Sequence, residues 1–116
     1  MPIIPSRRSP YLQVTTATAT REDAERIARA CVAQRFAACA QVLGPIHSVY
    51  WWQGAQEEAD EWLCLLKTTR DAWQALETAI RGMHPYENPE VVATDIAAGA
   101  AAYLAWIASE VRPQPG

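Results

Sequence analysis

The stretch from residue 38 to residue 69 constrains the fold most, because it reads as one long β-hairpin with apolar side chains on both faces. Residues 38–43 are rich in strand formers, Gly44-Pro45 interrupts them, and residues 46–52 resume the pattern. A bulge or bend at the interruption keeps both halves in one strand. Gln53-Gly54 begins a turn, Glu57, Glu58, Asp60 and Glu61 form an acidic, solvated stretch, and residues 62–69 make the return strand. Successive strand residues point to opposite faces. Ile46, Tyr50 and Trp52 therefore point one way and Val49 and Trp51 the other, while Trp62, Cys64 and Leu66 oppose Leu63 and Leu65. Helices on one side of a sheet hide only one of these sets. The other needs a partner, and Trp and Tyr are side chains that interfaces favour. The expectation is a homo-oligomer whose sheets pack on one another. The competing reading is that a C-terminal helix or the termini cover the second face.

The rest of the chain supplies the other elements. Residues 11–16 alternate and are rich in β-formers, which predicts a first strand. Thr20-Arg-Glu-Asp23 resembles a capping box with an acidic first turn, and apolar residues at helical spacing follow, so 21–35 is a helix. Trp73, Leu76, Ile80 and Met83 stripe a second helix, with Gly82 near its end. The loop 84–90 leads to a strand at 91–96, and Tyr103, Leu104, Ile107 and Val111 mark a last helix over 100–111. The order β-α-β-β-α-β-α predicts an α+β fold of the ferredoxin-like, split-βαβ type with an added C-terminal helix. Residues 1–10 and 113–116 are expected to be a loose arm and tail around one domain spanning 11–112.

Composition removes several classes of function. The 116 residues are 50% hydrophobic and 20% charged, which argues against extensive disorder. No apolar run approaches the ~20 residues of a membrane span, and the proline-rich start does not read as a secretory signal. A formal charge of −3 speaks against a nucleic-acid binder held by phosphate contacts. Cys31, Cys39 and Cys64 are odd in number and lack CxxC spacing, so they read as free thiols in a cytoplasmic protein. No phosphate loop, HExxH, GxSxG or Cys/His nucleophile pattern occurs, so no catalytic residue is assigned and the chain is read as a non-enzyme.

Two groups of residues carry candidate chemistry. His84 is an imidazole in a loop restricted by two prolines, and Glu87 and Glu90 lie close by to add oxygen ligands. His84 and Glu90 are the metal-ligand candidates. A structural role for His84 at a helix C-terminus is the alternative, and His47 reads as a packed or hydrogen-bonded strand residue. Tyr50, Trp51, Trp52, Tyr86 and Trp106, with the single lysine Lys67, are candidates for an inter-subunit ligand cleft; packing and structural pairing are the alternatives.

Five motifs in order carry a family resemblance: residues 36–40 (FAACA), 48–54 (SVYWWQG) followed by acids, 66–69 (LKTT), 84–90 (HPYENPE) and 103–107 (YLAWI). Over residues 11–111 the chain resembles the CutA divalent-cation-tolerance family. The resemblance implies a ferredoxin-like subunit in a tight trimer with hairpins crossing between subunits. It also implies a role in tolerance of copper and other divalent metals, and no accepted catalytic activity. Copper-binding members place a Cys at the end of the first strand and a His-His pair before the Pro-Tyr of the loop. Here those positions hold Thr16, Met83 and His84, so only the last ligand is kept. The expected function is a trimeric metal-tolerance protein, with divalent copper as the candidate ion and His84 as the surviving ligand. The alternative is a trimeric small-molecule sensor or scaffold similar in architecture to PII proteins.

Overall fold

The computed structural model describes residues 8–113; the expected N-terminal arm and C-terminal tail lie largely outside the described residues. The elements are β1 (Tyr11–Thr18), α1 (Arg21–Ala33), β2 (Cys39–Trp52), β3 (Ala55–Thr69), a 3-10 turn (Arg70–Ala72), α2 (Trp73–Met83), β4 (Val92–Asp95) and α3 (Ala101–Glu110). The strands form one antiparallel sheet in the order β2-β3-β1-β4.

Local chemistry accounts for the boundaries. Thr20 caps α1, its Oγ1 accepting the Asp23 N–H at 3.1 Å, and Glu22 and Asp23 sit where the helix dipole favours negative charge. At the other end the Phe36 N–H reaches the Cys31 carbonyl and the Arg35 N–H the Val32 carbonyl, a Schellman stop. The left-handed position, usually glycine, is Arg35 at φ 60°. Its side chain bonds Glu110 at 2.9 Å and its carbonyl accepts the Arg112 N–H, which pins the end of α3 to the end of α1.

The hairpin spans the residues that the sequence pattern predicts. The acidic residues 57–61 lie within β3, paired across from Ile46–Tyr50, with Glu57, Glu58 and Asp60 exposed as a solvated hairpin face. A two-residue turn closes the hairpin, with Gln53 at φ 49° and Gly54 at φ 80°. Positive φ at both positions matches the right-handed twist of the strands. The register shifts between Leu43 and Ile46, as the Gly44-Pro45 interruption predicts.

Val14, Cys64 and Leu66 on one sheet face join Ala24, Ile27 and Cys31 of α1 and Leu76 and Ile80 of α2 to form the main core. A smaller cluster joins Ile107 and Val111 to Ala72, with Tyr11, Ala38, Ile96 and Leu104 packed around it. So α3 covers the Tyr11 end of the sheet. It leaves Leu43, Val49, Tyr50, Trp51 and Trp52 of β2 and Val92 of β4 exposed, and Tyr103 and Trp106 of α3 itself are exposed too. The competing reading, in which the last helix hides the second face, is met only at that end.

Candidate functional site

The loop between α2 and β4 is stitched to the sheet through one histidine. His84 ends α2 with its N–H on the Ile80 carbonyl. Its ring is buried, the Nε2 lying 2.8 Å from the Ala17 carbonyl oxygen and the Nδ1 3.1 Å from the Tyr86 nitrogen. A carbonyl can only accept and a backbone N–H can only donate, so the ring is neutral with its proton on Nε2. Burial also lowers its pKa below the ordinary histidine value. The Tyr86 ring packs on it at 4.8 Å, and the Tyr86 hydroxyl donates to Glu61 Oε2 at 2.8 Å. Burial and that carboxylate both raise the Tyr86 pKa.

This stitching leaves a cleft of about 600 Å³ between hairpin and loop. Ser48, Val49, Tyr50, Trp51, Trp52 and Glu61 line it from the hairpin, Tyr86, Glu87, Asn88 and Glu90 from the loop, and Ala17 from β1. Four aromatic residues and three carboxylates border this concavity, Tyr50 and Trp52 on one face of β2 and Trp51 on the other, and no lysine or arginine is among the described residues lining it. Burial, with the charge of Glu61, raises the Glu90 pKa, the mark of a carboxylate lacking a nearby cation.

Of the residues singled out in the sequence, Tyr50, Trp51, Trp52, Tyr86 and Glu90 come together here. Lys67 and Trp106 do not. Lys67 stands opposite Cys39 at the far end of the hairpin, where its Nζ donates to Gln41 Oε1 at 3.0 Å. Trp106 packs on Tyr103 along α3. His84 is not among the residues that line the cleft, and both its nitrogens are committed. As a metal ligand it would have to surrender one of those bonds. Thr16 is buried with its hydroxyl unpaired. No group of three or more His, Cys, Asp or Glu among the described residues is arranged to hold a metal ion. The donors of a single chain therefore do not fit the copper site that the family resemblance implies.

Glu61 is the residue the sequence reading passed over, since it looked like one more solvated acid. Its signal was its place directly before Trp62, where the hairpin meets the body of the sheet. His47 is a hydrogen-bonded strand residue as expected, with Nε2 2.6 Å from Glu58 and Nδ1 3.5 Å from Asp60. Those carboxylates raise its pKa. The thiols of Cys31 and Cys64 are buried and pushed up to about 11 and about 12, hence unreactive.

Residues 12–110 match the family model described as CutA1 divalent ion tolerance protein. A divalent-cation tolerance protein CutA from Thermus thermophilus is 42% identical over 76% of this chain and 85% of its own length. The human protein CutA is also 42% identical, over 72% of this chain but only 47% of its own length. Among solved structures, CutA1 from Oryza sativa superposes with a TM-score of 0.88 at 31% identity, over 92% of this chain and 98% of that one. The Thermus protein superposes at 0.85 and 37%, over 88% and 99%.

Proposed function

The chain belongs to the CutA1 divalent ion tolerance family, and from that premise we propose that it serves tolerance of divalent cations as a homotrimer of ferredoxin-like subunits. The observation that supports this most is the hairpin. Leu43 pairs with Leu63, and Leu65 with Thr15 and thereby Val92, on the sheet face that α1 and α2 do not cover. Leu43 and Val92 are 46% and 49% exposed. A second copy of the same stripe is the partner such a surface fits. The free cysteines support a reducing, cytoplasmic compartment, although relatives include chloroplastic and periplasmic proteins by their descriptions. The family description names tolerance and no reaction.

We place cation contact at the loop, through the Glu90 carboxylate in the cleft that Glu61 and Glu87 also line, and give His84 the task of holding the loop. Oxygen donors of this kind suit hard divalent ions, and copper prefers imidazole or sulfur. Calorimetric titration with Mn(II), a hard divalent ion, and with Cu(II) in parallel separates the roles. Glu90→Gln is expected to weaken binding about tenfold, in the range of a lost ligand or its support. Loss on His84→Ala with full binding by Glu90→Gln would return the imidazole to the ligand set. Equal binding by parent and both variants would take the loop out of the account.

The aromatic lining favours a second reading, a trimeric small-molecule sensor similar in architecture to PII proteins. The volume of the cleft lies within the range of small-molecule sites.

A further inference from the structure

We propose that the sheet face left uncovered by α1 and α2 is charged head to tail, and that in the assembly the ammonium of the partner subunit's Lys67 pairs with the Glu61 carboxylate of the next copy. This rests on the reading above that this face joins copies of the chain. It adds the residue pair that sets the direction of packing.

Three observations carry it. First, alternate residues of β3 place Glu61, Leu63, Leu65 and Lys67 on one face. Leu63 stands opposite Leu43 and Leu65 opposite Thr15, which is the stripe that association covers. The stripe therefore has a carboxylate at one end, leucines in the middle and an ammonium at the other end. Second, each charge lacks a counter-charge of its own chain among the described residues. The Lys67 Nζ donates to Gln41 Oε1 at 3.0 Å, and its cross-strand neighbours Cys39 and Gln13 carry no carboxylate. Glu61 Oε2 accepts the Tyr86 hydroxyl at 2.8 Å, and no basic side chain among the described residues lines the cleft beside it. Third, the two charges cannot meet within one chain. Six strand positions separate them, about 20 Å, which is beyond the reach of a lysine side chain. Both are half-buried at the ends of the leucines, so a second copy laid on the stripe takes further water from them. A charge dried without a partner is costly. Head-to-tail packing supplies the partner: each copy offers Glu61 to one neighbour and Lys67 to the other, and such heterologous contacts close into a ring. Packing in the reverse sense would set like charges together, which costs affinity. Glu57 shares the face but stands exposed farther out on the hairpin, opposite Tyr50 and away from the leucines. The lysine that a single chain keeps out of the cleft thus reaches its Glu61 wall from the next copy.

Lys67 is the only lysine of the chain, so a carbodiimide, which joins an amine to a carboxylate in contact with it, reports this pair directly. The full chain is cross-linked at micromolar concentration and the joined peptides are read by mass spectrometry. Sedimentation on dilution to nanomolar concentration is run in parallel for the parent, Lys67→Glu and Lys67→Arg. Chains joined through Lys67 and Glu61 are the expected product. Lys67→Glu is expected to raise the concentration at which the assembly dissociates at least about tenfold, and Lys67→Arg, which keeps the charge, to leave it near the parent's. Lys67 is outside the buried core, so both variants keep the subunit fold, which circular dichroism checks. An assembled parent whose Lys67 is joined to another carboxylate, or to none, overturns the inference and spares the assembly. A Lys67→Glu variant that dissociates as the parent does has the same consequence. A parent that sediments as a single chain overturns the inference and the assembly together.

Discussion

At the scale of single residues, the two histidines do opposite things. His84 is buried and neutral, its pKa lowered chiefly by desolvation. The unfolded chain therefore takes up a proton near pH 6.5 that the folded chain refuses, so stability from this residue is present above that pH and is lost as pH falls below it. His47 sits between Glu58 and Asp60, and only the doubly protonated ring satisfies both carboxylates. Its raised pKa means that its contribution is fully present below pH 6.5 and fades as pH rises through the folded value. Denaturant unfolding between pH 5.5 and 8 is expected to show the two separately. His84→Gln flattens the loss below pH 6.5, and His47→Gln flattens the decline above it. Profiles parallel to the parent's for both variants would contradict these assignments. Sequence spacing marked His84 as a residue of interest, but its partner, the Ala17 carbonyl, lies 67 positions away. Nothing local to the loop announces that bond.

At the scale of elements, the hairpin turns on a glycine. A Cβ at Gly44 would stand 2.5 Å from Trp62 Cδ1 and 3.0 Å from the Glu61 carbonyl oxygen. The glycine lets the strand pass close to the indole where the register shifts. Gly44→Ala forces Trp62 or the bulge to move, and overpacking of that kind costs about 1–3 kcal/mol. Thermal unfolding at constant protein concentration is expected to show a lower midpoint. An unchanged midpoint would mean that the indole has free room to rotate away. Glu61 lines the cleft, so the same substitution reaches the site. The interruption at Gly44-Pro45 was legible because glycine and proline break strand pattern. The register of acids 57–61 against Ile46–Tyr50 was not, because a solvated run of carboxylates fixes no cross-strand partner.

At the scale of the whole molecule, large apolar side chains remain wet that a core would bury. Fully burying one such side chain is worth about 1.5–3 kcal/mol. Leu43 and Val92, with the half-buried Leu63 and Leu65, give a contiguous stripe on one sheet face, so association has a clear driving force. Sedimentation at micromolar concentration is expected to show a species three times the 12.8 kDa chain. Leu43→Glu, which places a charge in the stripe without touching the core, is expected to shift it to smaller mass. A well-folded parent that sediments as a single chain would refute the assembly.

Alternation of apolar residues, helical spacing and the capping residues are short-range properties, so the element order, the one-sided core and the surplus of apolar surface could be read from the chain alone. The gathering of Glu61 and Glu90 with four rings, the commitment of both His84 nitrogens, and the exclusion of Lys67 and Trp106 could not. Each depends on contacts between segments tens of residues apart, and only sheet register and the path of the 84–90 loop bring those segments within bonding distance.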